Sequence, residues 1–157
     1  MEQPRRTASA WVGSLGGIGF LPGAPGTYAT LVAAGVHILL LSLTHSTLPL
    51  PFLIAGATAA CVILGAPVER ALGRRDPREF VIDEVAGYWL AVLGLEAWPW
   101  YIVAPAAFVL FRLLDIIKPP PVGRFGKLPG GWGIVLDDLI AGACANLLVW
   151  AALSLIF

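Results

Sequence analysis

The chain has 157 residues, 58% of them hydrophobic and 13% charged, and ten Lys and Arg balance ten Asp and Glu. A mean hydropathy of +0.82 and a charged fraction far below the about 25% of soluble domains exclude a water-exposed globule. Zero net charge excludes nucleic acid as the main partner, which needs a basic surplus, and the high hydrophobicity excludes disorder. A small integral membrane protein remains, with residues 1–157 as one domain.

Residues 1–27 carry Arg5 and Arg6, then Gly13, Gly16, Gly17, Gly19, Gly23 and Gly26. No apolar run follows the arginines, so the segment does not read as a cleavable signal peptide. Gly-rich backbone entering a helix can cradle an anion, or it can be a turn-rich surface segment. It is neither a Walker A loop, lacking Gly-Lys-Ser/Thr, nor a Rossmann turn, lacking a preceding strand. Thr27 is placed as the N-cap of the first span.

Five helical spans are predicted, each read against the roughly 20 apolar residues that a bilayer requires. They are Tyr28–Leu43, Leu50–Ala66, Val85–Glu96, Tyr101–Ile117 and Leu139–Phe157. Pro67 is expected to end the second, and Pro105 to kink the first turn of the fourth. The third is short, about 18 Å at 1.5 Å per residue. The Trp98-Pro99-Trp100-Tyr101 cluster after it suits an interfacial belt and a turn. Isolated strands cannot satisfy their backbone in lipid, so the fold class is an all-α polytopic membrane protein.

The charges cluster between spans. From Thr7 to Val68 no residue carries a formal charge, whereas Glu69–Glu84 holds nine charges in sixteen residues. Glu69–Arg78 reads as a solvated loop whose arginines touch anionic headgroups. With five spans and a cytoplasmic N-terminus, all ten Lys and Arg fall on one side, the positive-inside pattern. Glu96 lies at the outer interface. His37, in mid-span, reads as a hydrogen-bonded interior residue. Cys61 and Cys144 read as small buried residues, with no His at metal-ligand spacing.

Three acidic clusters carry the chemistry. Asp83 and Glu84 open span three, Asp115 lies in the last turn of span four, and Asp137 and Asp138 open span five. Singly, such acids cap helix starts and suit the helix dipole. Together, five carboxylates at one depth repel unless cations sit among them, and ionisable groups at the membrane edge usually mark function. Arg112 and Lys118 supply two cations on one broad helix face with Asp115. A divalent metal is a better neutraliser, and all-oxygen ligation points to magnesium, calcium or manganese. Carboxylates with Lys and Arg are what phosphoryl transfer needs. Gly130, Gly131 and Gly133 before Asp137 suit tight turns or close approach to a ligand.

Four blocks extend this reading: Ala24-Pro25-Gly26-Thr27; Ile82-Asp83-Glu84 with Gly87; Phe111-Arg112 through Asp115 to Lys118-Pro119-Pro120-Pro121; and Gly130-Gly131-Trp132-Gly133 through Asp137-Asp138 to Ala141-Gly142. In order and spacing they resemble the phosphatidylglycerophosphatase A family. Ala29 and Val122 depart mildly from the family pattern. The resemblance implies a bacterial inner-membrane, Mg²⁺-dependent phosphatase. Its membrane phospholipid substrate would be phosphatidylglycerophosphate, hydrolysed to phosphatidylglycerol and phosphate at the cytoplasmic face.

The residues assigned to that chemistry are Asp83, Glu84, Asp115, Asp137 and Asp138 for Mg²⁺, directly or through waters. Lys118 and Arg112 hold the phosphoryl group, Asp138 orients the attacking water, and Gly26 and Thr27 add donors to the substrate. The alternative for Arg112 is a purely structural pair with Asp115. A small transporter or channel subunit is the other function class. It would spread polar groups through the membrane depth, whereas here they gather at one face.

Overall fold

The computed structural model describes residues 7–120, 122, 126 and 128–157. Arg5, Arg6, Pro121, Arg124 and Lys127, which the sequence reading used for topology and for the Lys-Pro block, lie outside the described residues. Among the described residues there are six α-helices and no strand: α1 (Ala8–Gly13), α2 (Pro25–Thr44), α3 (Leu50–Leu72), α4 (Ile82–Val92), α5 (Trp100–Ile117) and α6 (Gly131–Ile156). A short 3₁₀ turn, Ile18–Phe20, links α1 to α2. The all-helical membrane fold expected from composition is the one observed.

Helices α2, α3, α5 and α6 are long and apolar enough to cross a bilayer. Their outward faces carry Leu39, Phe52, Ile63, Val109, Leu147 and Leu155, all exposed, a surface suited to hydrocarbon rather than water. Helix α4 is different. Its 11 residues rise about 16 Å, and seven of them are buried. It packs against all four long helices and forms the axis of the bundle, with Tyr88 and Val92 in the same apolar core as Phe111 and Val149. A polypeptide passing between the two ends on so short a helix has to satisfy its terminal carbonyls inside the protein. Asn146 of α6 does so, its amide donating to the carbonyls of Ala91 (3.1 Å) and Leu93 (2.8 Å).

Four expected boundaries are corrected. The third span ends at Val92 rather than Glu96, because Gly94 at φ +74° turns the chain. Residues 93–96 complete the passage, with Gly94 and Glu96 bonding Thr47 in the α2–α3 connection. Pro67 does not end α3, which runs on to Leu72 and closes on Gly73 at φ +68°. Pro105 lies inside α5. Helix α6 begins at Gly131, so Asp137 and Asp138 lie in its second turn and do not open it. Thr27 is not an N-cap, since α2 starts at Pro25 after Ala24.

The glycines of residues 13–26 serve two ends: Gly16, Gly17 and Gly23 adopt positive φ in turns, and Gly13, Gly19 and Gly26 allow close packing. The Val81 amide donates to the Gly13 carbonyl at 2.9 Å, and a Cβ at Gly19 would collide with the Glu79 carbonyl. The segment is thereby laid over the α3–α4 loop beside the start of α4. His37 is an interior residue, buried against Tyr88 with ring centroids 6.2 Å apart, and its Nδ1 has no hydrogen-bond partner. Cys61 and Cys144 are free thiols, buried and half-buried.

Candidate active site

The start of α4, the start of α2, the end of α5 and the second turn of α6 converge at one end of the bundle. Close packing brings them there. Gly87 touches both Phe111 and the Asp138 carbonyl, and Gly142 lies on the Gly87 carbonyl. A side chain at either position would force α4 away from α5 and α6. Gly26 does the same for α2, since a Cβ there would overlap the Glu84 carboxylate.

All five predicted carboxylates and both predicted cations meet here, divided into two sets. In the first, Glu84 and Asp115 hold Arg112: Arg112 Nη1 pairs with Glu84 Oε2 and lies 2.9 Å from Asp115 Oδ2. The Thr30 hydroxyl lies 2.8 Å from the Gly26 carbonyl and 3.4 Å from Glu84 Oε2. Asp137 pairs with Lys118, Oδ2 to Nζ 3.5 Å. In the second set, Asp83 and Asp138 are 6% and 3% exposed, and Asp83 Oδ1 and Asp138 Oδ2 are buried with no partner. A carboxylate oxygen sealed from water without a partner is costly, by several kcal/mol if charged. The two sets touch at Asp115, which acts electrostatically on both Asp83 and Asp138 and hydrogen-bonds the Asp138 side chain.

The cations differ as well. The Arg112 side chain is 14% exposed and held on two sides, whereas that of Lys118 is 38% exposed. Lys118 caps α5 with its backbone in the left-handed region, φ +46°. That conformation costs a non-glycine residue about 1 kcal/mol. Burial works against its ammonium, but the carboxylates of Asp138, Asp115, Asp137 and Asp76 outweigh it and hold the pKa above the ordinary lysine value. The ammonium therefore stays charged, open on one side, at the rim of a buried acidic pair.

Gly26 lies against Glu84, while Thr27 is half-buried one residue on. Sequence reasoning missed three residues. Thr30 is one turn beyond Gly26 on the same face, a spacing that was legible. Asp76 acts electrostatically on both Asp83 and Lys118, although its loop reads as solvated. Gly126 backs Asp137, where a Cβ would stand 2.6 Å from Oδ2.

The residues fit a hard divalent cation. Among the described residues no three His, Cys, Asp or Glu side chains form a ready metal cage. Mg²⁺, however, is typically held by one or two carboxylates plus substrate phosphate and waters. Asp83 Oδ1 and Asp138 Oδ2 are two such unused oxygens.

A lipid-embedded helical bundle with a buried acidic pair, a fixed guanidinium and an open ammonium at one end has the make-up of a membrane phosphatase acting on phosphate monoesters. The family model for phosphatidylglycerophosphatase A matches residues 11–153, and the chain belongs to that family. A Bacteroides thetaiotaomicron protein named "Putative phosphatidylinositol-3-phosphatase" is 36% identical over 153 residues, covering 90% of this chain and 91% of its own. Phosphatidylglycerophosphatase A of Haemophilus influenzae is 34% identical over 142 residues, covering 86% and 82%. That of Escherichia coli is 34% identical over 127 residues, covering 80% and 72%. No solved structure matches the chain.

Proposed function

We propose that this protein hydrolyses the terminal phosphomonoester of phosphatidylglycerophosphate to phosphatidylglycerol and phosphate, with Mg²⁺, at the cytoplasmic face of a bacterial inner membrane. The observation that carries the reading is the pair of buried, unpartnered oxygens on Asp83 and Asp138 beside Lys118.

Asp83 and Asp138 are the residues that would hold Mg²⁺, which when bound supplies charge neutralisation to the phosphoryl oxygens. Lys118 binds a non-bridging phosphoryl oxygen with its open ammonium, and Asp137 aims it. Arg112 fixes Glu84 and Asp115, and so sets α5 against α4. This favours the structural role for Arg112 over direct phosphate clamping. Asp138 orients the water that attacks phosphorus opposite the glycerol oxygen. Gly26 and Thr27 line the side from which the headgroup arrives. The cytoplasmic placement is supported by Arg70, Arg74, Arg75, Arg78, Arg112 and Lys118, all at or near the end of the bundle that holds these groups.

Phosphatidylinositol-3-phosphate, suggested by the name of the Bacteroides relative, is the second reading of the substrate. Both lipids present a phosphomonoester on a polyol, so one assay separates them. Purified protein should release phosphate from phosphatidylglycerophosphate with Mg²⁺, lose that activity in chelator, and turn over phosphatidylinositol-3-phosphate at least tenfold more slowly. The opposite preference would move the substrate to the inositol lipid, and release from neither would overturn the proposal.

A further inference from the structure

Two helices of the site continue away from it as a single surface. On α5, Tyr101, Pro105, Phe108, Arg112 and Asp115 recur at spacings of three and four, which places them along one stripe. On α2, Thr27, Leu31, Ala34 and Ile38 do the same. Between these stripes lies an open apolar cleft of about 390 Å³, lined by Leu31, Ala34, Ile38, Tyr101, Pro105 and Phe108 among others. Arg112 follows Phe108 by one turn, about 6 Å, and Thr27 precedes Leu31 by one turn. The surface therefore passes from apolar to ionic within one turn on both helices, at the level where Arg112 meets Glu84. From Phe108 the cleft runs about 10 Å toward Tyr101, which with Trp100 stands exposed at its far end.

The other apolar grooves lack this continuity. The groove of Ala55, Thr58, Ala59, Val62, Ile63 and Trp132 carries no ionic residue in line with it on α3 within the next turn. The groove over Ile82, Val85 and Trp89 lies on the side of α4 that Asp83 and Gly87 do not face, by helical spacing.

We infer that the α2–α5 cleft is the acyl-chain subsite of the phospholipid substrate, seating one hydrocarbon tail between Leu31–Ile38 and Tyr101–Phe108 while the headgroup enters past Thr27 and Arg112. This rests on the proposed phospholipid phosphatase activity. The cleft opens sideways into the bilayer, so a lipid enters without leaving the membrane. The apolar lining holds the tail by burial alone and sets chain position rather than headgroup identity.

The test compares two substrates in detergent micelles, dioleoyl phosphatidylglycerophosphate and its deacylated headgroup. Ala34→Phe fills the cleft. It should raise KM for the dioleoyl lipid about tenfold, the equivalent of roughly two lost methylene contacts. The deacylated compound should keep its kcat and KM, which also reports that the variant is folded. Ala34→Leu should act in the same direction by less, and serves if the larger side chain prevents folding. Ala59→Phe, in the groove on α3, should change neither substrate. A lipid carrying a mid-chain photoreactive group should crosslink to α2 and α5 peptides. Equal effects of Ala34→Phe on both substrates, equal effects of Ala59→Phe, or crosslinks confined to α3 and α6 would overturn the inference while leaving the activity standing. No hydrolysis of either substrate by the unaltered protein would instead remove the reading on which it rests.

Discussion

The two ends of the bundle handle acidic residues in opposite ways. At the end away from the site Glu96 is exposed and has a hydrogen-bond partner. The Thr47 hydroxyl donates to it at 2.7 Å and accepts the Gly94 amide at 3.0 Å, and that hydrogen bond holds the carboxyl below its ordinary pKa. At the end that holds the site five carboxylates share two cations, and Asp83 and Asp138 keep buried oxygens with no partner. The first arrangement stabilises a connection. The second costs stability that a fold would not retain without a ligand to offset it. Acidic residues at helix ends are common, so an unserved carboxylate marks the site better than an acidic one does.

The largest effects should come from removing the unserved charge. Asp83→Asn and Asp138→Asn should each lower kcat by at least a hundredfold. In metal-free buffer each should keep or raise thermal stability, because a neutral isostere replaces a buried carboxylate with one oxygen that has no hydrogen-bond partner. Thermal unfolding read alongside phosphate release checks both signs. Lower stability together with lost activity would make these residues structural.

Lys118→Gly comes next. Glycine accepts φ +46° without strain, so the helix end should be kept, while the loss of a cationic partner of buried Asp137 lowers stability and turnover falls about a hundredfold. The Lys118 pKa is raised, so its charge is complete at every pH below the ordinary lysine value and is lost only above it. The variant should therefore lower the pH–rate profile evenly between pH 6 and 9 without changing its shape. A new limb in that window would contradict the assignment.

Glu84→Gln removes one of the two supports of Arg112. It should cost about 2 kcal/mol of stability, with activity reduced mainly through the unfolded fraction. Arg112→Lys should behave similarly, a point charge being unable to bridge two carboxylates as the guanidinium does.

The smallest effect belongs to the end away from the site. Thr47→Val should leave activity unchanged and cost below about 1 kcal/mol. The folded pKa of Glu96 is depressed, so this contribution is present above the ordinary carboxylate value and fades as pH falls through the folded one. The stability difference between Thr47→Val and the unaltered protein should accordingly shrink in acid to the part that the Gly94 amide bond contributes. A difference that does not change with pH would exclude a contribution from Glu96.

Much of this was legible in the sequence. Long uncharged runs gave the four spanning helices, and the clustering of acids gave the end at which they meet. The partition was not legible. Glu84 and Asp83 are neighbours in sequence but lie 100° apart on α4, so one reaches Arg112 and the other does not. Their fates are set by Gly26, Gly87 and Gly142, whose missing side chains fix the helix spacing. The start of α6 was misplaced because Gly131 and Gly133 read as turn residues. They are helical instead, and Gly131 lets α6 press against the Cys61 carbonyl of α3. Pro67 misled in the same way. A proline weakens a helix locally, but the burial of Val68 one residue on favours continuation.

The division of the carboxylates is tested most directly by Mg²⁺ activation curves for the five single amide variants, Asp83→Asn, Glu84→Gln, Asp115→Asn, Asp137→Asn and Asp138→Asn. The expected result is a large rise in the Mg²⁺ needed for half-activation, or no activation, in Asp83→Asn and Asp138→Asn alone, with the other three keeping an activation midpoint near that of the unaltered protein whatever their maximal rate. Unchanged midpoints in Asp83→Asn and Asp138→Asn, or a uniform shift across all five, would contradict it.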